Sequence, residues 1–405
     1  MAETADEKAG LSVIWQAFLA RLFEIADGGD QRIYAVMDGV RFGGLPSRLS
    51  AAGLSHRPLY RQAGMDTAVV LGGPWLVSLS MAPPAPVSQN AADHSAEPGD
   101  EELAALAERL SAEMAEAVAN GDESGGGMLP ADEIDRPERV RSRIEALLEL
   151  VEDKPGVVFW IGDRSMAEEE IYRHLRGINR ILLPLERDAV AGSALSGASA
   201  EGEIALAAGE PDQEASSIDA DGDGKERYEA VVFRHADPNV IMQVFPTLSP
   251  EQVARLMGPA EQIFFAPAAE WGGSIKRGRR PQDVAAEKGM LRLTRLTIEA
   301  IGESRLQASR HRRVAVFRRS APHLLQDMDD REALIFMERH EMQARAHGLK
   351  TERGFFQWTY LMGASDGKFI ESADIRAHLK GGNADARLND MMRLMANAAK
   401  EGIRA

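Results

Sequence analysis

Ile33-Tyr-Ala-Val-Met-Asp-Gly39 is a short apolar run closed by Asp-Gly, the pattern of a buried strand that ends in a tight turn. Four further runs share this texture: Trp75–Leu79, Val157–Ile161, Arg180–Leu183 and Ala230–His235. Each is rich in β-branched or aromatic residues and is flanked by Gly, Pro or Asp. Between them, Glu101–Ala119 is dense in strong helix formers, while Glu138–Val151 and Ala167–Leu175 repeat at the helical period. Ahead of them all, Leu11, Ile14, Trp15, Phe18, Leu22 and Ile25 recur at three- and four-residue steps, which predicts an amphipathic helix over 11–25. Strands alternating with helices predict an α/β N-terminal lobe, a mixed sheet with flanking helices.

From about Leu291 the texture changes. Leu291–Arg305, Leu324–His347, Gly354–Met362 and Ala386–Ala399 all show helical periodicity, so an all-helical C-terminal lobe is predicted to follow. The expected boundaries are an α/β domain over 1–270, a linker over 271–290 that contains Gly272, Gly273, Gly278 and Pro281, and a helical lobe over 291–405. Two stretches interrupt the α/β lobe. Residues 82–99 carry four prolines, and residues 186–226 are rich in Ala, Gly, Ser and Asp. Such compositions bury too little surface to offset their ordering entropy, so both are expected to be mobile insertions.

The 405 residues include 47 basic and 63 acidic side chains, a formal charge of −16. That balance argues against nucleic acid or an anionic membrane as a partner. There is no cysteine, which excludes disulfides, thiolate metal sites and cysteine nucleophiles. The acidic start MAETADEKAG reads as neither a secretory leader nor a transit peptide, and Leu11–Ala26 is too short and too interrupted to span a bilayer. A cytoplasmic protein is the reading.

Several motifs invite a chemical interpretation. Asp219-Ala-Asp-Gly-Asp-Gly224 imitates the start of a calcium loop, but position 12 is Ala230 where a bidentate glutamate is needed. His340 and His347 imitate a zinc-binding helix at the wrong spacing, two turns apart. Asp38-Gly39 at a strand end resembles the nucleophile of some phosphatases; these need a second aspartate two residues earlier, where Val36 stands. Asp in such a place more often bonds the following backbone amides. No phosphate loop or nucleophile elbow is present, and no cofactor or metal is expected. A hydrolase or phosphatase using Asp38, and a calcium-responsive scaffold using 219–224, remain as alternatives.

Residues 275–319 hold thirteen Lys or Arg against four acids. Either this is a solvated helix face, or it is a docking surface for an acidic partner, with Arg277, Arg279, Arg280, Arg310, Arg312 and Arg313 as contacts. The methionines of the C-terminal part, among them Met337, Met342, Met362 and Met395, suit either a core or an adaptable surface.

One stretch is more specific. Ala230-Val-Val-Phe-Arg-His-Ala-Asp-Pro-Asn-Val240 continues into Phe245-Pro-Thr-Leu-Ser-Pro-Glu-Gln252 and then Gly258-Pro. Upstream lie Tyr34-Ala-Val-Met-Asp-Gly39, Leu59-Tyr, Gly73-Pro-Trp-Leu-Val77 and Ser165 leading to His174-Leu-Arg176. In this order, over about residues 30–267, these elements resemble the type VI secretion effector chaperones, or adaptor proteins. His235 and Ala236 depart from the aromatic pair often seen between Arg and Asp in that family, and the 186–226 insertion is long. The resemblance implies a non-enzymatic cytoplasmic protein that holds a toxic effector and delivers it to the valine-glycine-repeat (VgrG) spike. Its partners would be the cognate effector and the spike. The residues that carry it are Asp38, Gly39, Pro74, Arg234, Asp237 and Pro238. Read physically, Asp237-Pro238 opens a helix, and Arg234 is expected to pair with Asp38 or Asp237, so these residues are read as architectural.

Overall fold

Apolar strands and amphipathic helices do alternate through the N-terminal half, and the C-terminal part is all helical. The computed structural model describes residues 13–60, 67–80, 136–152, 154–185, 227–380 and 382–402. The chain divides into two compact units, one made of Met1–Lys154 and Phe159–Tyr172, the other of Pro155–Val158 and Arg173–Ala405.

The first unit contains α1 (Val13–Gly28), β1 (Gln31–Asp38), α2 (Leu45–Ala51), β2 (Ser55–Pro58), α3 (Thr67–Gly72), β3 (Pro74–Ser78) and α4 (Pro137–Val151). It also takes β4 (Val157–Asp163) from Phe159 onward. β3 runs antiparallel to β1, from Tyr34↔Ser78 to Asp38↔Pro74, and antiparallel to β2. With β4 beside β1, the order is β2-β3-β1-β4. Ile33 to Asp38 are all buried, which explains why this strand reads as a continuous apolar run rather than an alternation. α1 lays Phe18 against Phe159, their ring centroids 5.1 Å apart, and Ile144, Leu147 and Leu148 of α4 complete this core.

In the second unit, α5 (Glu168–Gly177) leads to β5 (Arg180–Pro184), which pairs antiparallel with β6 (Tyr228–Val232). α6 (Pro238–Val244) and α7 (Pro250–Met257) follow, then an antiparallel pair, β7 (Gln262–Phe265) and β8 (Lys276–Arg279). Five helices close the chain: α8 (Arg295–Ser320), α9 (Asp330–Ala346), α10 (Glu352–Ala364), α11 (Ala373–Leu379) and α12 (Ala384–Gly402). One apolar cluster joins Val314 and Phe317 of α8 to Ala333 and Met337 of α9. Another gathers Phe355, Trp358, Phe369 and Leu388.

Several boundaries differ from the sequence expectation, each for a local reason. The helix expected from Leu291 starts at Arg295: Thr294 caps it, accepting from Thr297 N, while Leu291 and Leu293 bond the backbone of Leu182 at 2.8 and 2.9 Å. It then runs on to Ser320, because arginine is a good helix former and basic residues suit a helix C-terminus. The helix expected over Leu324–His347 begins only at Asp330, where Asp329 and Glu332 form a reciprocal capping box. The strand expected to reach His235 ends at Val232: Phe233 N still bonds Asn179 O at 2.8 Å, but the chain then turns, with His235 N bonding Phe233 O and Asp237 N bonding Arg234 O, each at 3.0 Å. β8 falls inside the 271–290 segment read as a linker. Its Gly278 is required there: a Cβ would sit 2.6 Å from Phe245 Cζ and 2.8 Å from Ile263 Cγ1.

The insertions at 82–99 and 186–226, the helix expected over Glu101–Ala119 and the acidic turn Asp219–Gly224 lie outside the described residues. Among the described residues no helix is long and apolar enough to cross a membrane.

Candidate partner-binding surfaces

In the first unit, Asp38, Gly39 and Pro74 lie at one place. Asp38 is the last residue of β1 and is paired in register with Pro74. Its buried carboxylate accepts from Val40 N at 3.2 Å, capping the single 3₁₀ turn Gly39–Arg41. Gly39 N donates to Gly73 O at 3.0 Å. A Cβ on Gly39 would fall on the carbonyl oxygens of Leu71 and Gly73, so only glycine fits. The Asp38 carboxylate therefore acts as a turn cap, as the Asp-Gly pattern suggests. This junction sets two apolar side chains in water: Val40 is 67% exposed and Leu71 46% exposed. Val69, on the same short helix as Leu71, is also exposed.

In the second unit, Arg234, Asp237 and Pro238 build the start of α6. Asp237 Oδ1 accepts from Asn239 N at 2.9 Å, and Pro238 is the first helical residue. Arg234 Nη2 lies 3.9 Å from Asp237 Oδ2, so Asp237 is a partner of Arg234, one of the two that the sequence offers. Beside this helix start are two imidazoles, His235 buried and His174 half-buried, whose packing role sequence reasoning did not single out. His235 Nε2 donates to Asn179 Oδ1 at 2.8 Å, and His174 Nε2 donates to Leu256 O at 2.8 Å. Burial pushes His174 down to about 4. Burial and the neighbouring His174 push His235 down to about 3. Both are neutral near pH 7, each contributing a neutral hydrogen bond to the packing. No spacing pattern marks them; the signal was only that each falls within a motif already quoted.

The six basic residues proposed as partner contacts separate into three environments. Arg277, Arg279 and Arg280 share one surface: with Glu261, Gln262 and the turn 281–285 they line a cavity of about 770 Å³. Arg312 is exposed and pairs with Glu270 at 2.9 Å. Arg310 and Arg313 are a correction to the docking reading. They are 7% and 4% exposed, and both bond Glu341 of α9, Arg310 through Nε at 3.2 Å and Arg313 through Nη2. Arg345 joins the same carboxylate at 3.2 Å. Burial alone would raise Glu341, but the hydrogen bonds and charges of Arg313 and Arg310 hold it below the ordinary carboxylate range. These two arginines present no charge to a partner, because the interior of the helical lobe already uses it.

The methionines divide in the same way. Met337 and Met362 are core residues, while Met342 and Met395 are exposed. Among the described residues no group of three or more His, Asp or Glu is placed to hold a metal ion. No protein-family model, curated protein or solved structure matches the chain.

Proposed function

We propose that this protein acts by holding a client rather than by transforming a substrate: a cytoplasmic chaperone or adaptor that keeps a type VI secretion effector soluble and brings it to the VgrG spike. One observation carries this reading. Asp38, Gly39 and Pro74, residues that carry the resemblance, build a rigid strand-end junction whose outward product is exposed apolar surface at Val40 and Leu71. Val40 lies against the helix that carries Val69 and Leu71, its Cγ2 3.4 Å from where a Cβ on Gly72 would stand. Apolar side chains grouped in this way, and not exposed singly, suit a contact site for another protein, and a client that would otherwise aggregate is shielded by covering such surface.

The test is co-expression with a candidate effector, comparing the chain with its Val40→Asp/Leu71→Asp variant. The native chain should raise the soluble yield of the effector and co-purify with it. The variant should lose that effect while keeping its own melting temperature, because both positions face water. An effector equally soluble with either chain would refute the assignment.

A further inference from the structure

The cavity lined by Arg277, Arg279 and Arg280 belongs to the second unit and involves none of the residues around Val40. β8 places Arg277 and Arg279 on one face of the strand, two residues apart, with Arg280 directly after its end. The opposite face is filled, since Gly278 packs under Phe245 and Ile263. Arg277 is held in place: it donates to Gln262 Oε1, and its guanidinium lies 5.4 Å from the Phe264 ring centroid. Arg279 and Arg280 are exposed, and among the described residues neither side chain makes a hydrogen bond or ion pair. A guanidinium is a planar fork of donors that matches a carboxylate two bonds at a time. Two such forks beside a third, fixed one form a surface suited to an anionic polymer.

The acids in the lining decide which polymer. Glu261 and Asp283 stand among the arginines. A nucleic-acid backbone brings a phosphate at every nucleotide and would set some of them against these carboxylates. A polypeptide can place Asp or Glu opposite the arginines and neutral or basic residues opposite the acids. We propose that this groove takes a carboxylate-rich segment of a protein partner, with Arg279 and Arg280 as its main anchors. This goes beyond the reading above by naming a second surface and its chemistry, and rests on it only in taking the partner to be a protein.

Fluorescence anisotropy with the full-length chain and a short labelled peptide alternating Glu and Ala tests this. The peptide should bind, more weakly as salt is raised, and Arg279→Glu/Arg280→Glu should cost about tenfold or more in affinity. Arg312→Glu, which removes a residue already paired with Glu270, should leave binding unchanged. Equal peptide affinity for the double variant would overturn the proposal, as would tighter binding of single-stranded DNA of the same length. So would peptide binding that emerges only when residues 186–226, with eleven acids to two bases, are deleted, since the chain itself would then supply the occupant. Because Val40 and Leu71 play no part here, failure of the effector experiment and failure of this one are read separately.

Discussion

Arg279 and Arg280 stand in water at the end of β8, while Arg310 and Arg313, in the same basic stretch, lie inside the helical lobe around Glu341. The residue type is the same and the local charge density is similar, yet the physics is opposite. A guanidinium in water keeps its hydration and can exchange it for a partner's carboxylate. A buried guanidinium has lost that hydration and must be matched inside the fold, or its charge is left uncompensated. The basic stretch therefore has two parts, one holding α8 to α9 and one facing solvent at the end of β8.

The largest expected effect breaks the buried half of this comparison. Glu341→Ala should destabilise the second unit by about 3 kcal/mol, the low end for a broken buried pair, because Arg313 keeps only Glu352 at 3.9 Å while Arg310 retains Glu338 at 3.0 Å. Chemical denaturation followed by circular dichroism measures it. A loss below about 1 kcal/mol, the scale of exposed pairs, would show that water reaches these arginines and would erase the distinction.

That distinction was not legible in the sequence, because Glu341 lies on a different helix and nothing in the spacing of Arg310 and Arg313 points to it. Legibility followed burial and local chemistry throughout. β1, β3, β4 and β5 announce themselves because their apolar runs are fully or largely buried. The Asp237-Pro238 helix start and the Asp38-Gly39 turn are readable because side chain and backbone act within two residues. β8 is hidden, since Lys276-Arg-Gly-Arg279 has neither apolar pattern nor β propensity and forms a strand only by pairing with Phe264 and Phe265. The start of α8 and the gap before α9 are local capping events that a 3.6-residue period does not register.

The second prediction extends the comparison to groups that are buried neutral instead of buried charged. His174 and His235 have folded-state values of about 4 and about 3, against about 6.5 in an unfolded chain. Between those values the unfolded state binds more protons than the folded state. Stability is thus complete above about pH 6.5 and falls as the pH drops toward 4, by about 3 kcal/mol from His174 alone. Denaturation midpoints at pH 7 and pH 4.5 measure the slope, and His174→Gln should flatten part of it. Equal midpoints at the two pH values would mean that these imidazoles are hydrated in solution.

The smallest expected effect is the most discriminating one for the exposed half. Reversing two positive charges with Arg279→Glu/Arg280→Glu should change folding stability by no more than about 0.5 kcal/mol, because exposed side chains without internal partners contribute little to the folded state. The same substitutions are expected to cost about tenfold in affinity for an acidic peptide, so thermal melting and anisotropy on one protein separate the two roles. If melting falls as far as it does for Glu341→Ala, then Arg279 and Arg280 are also architectural, and the charge that β8 carries serves the fold instead of a partner. Unchanged melting with lost peptide binding would place recognition in solvent-facing guanidinium groups, leaving the buried pair to hold the helices together.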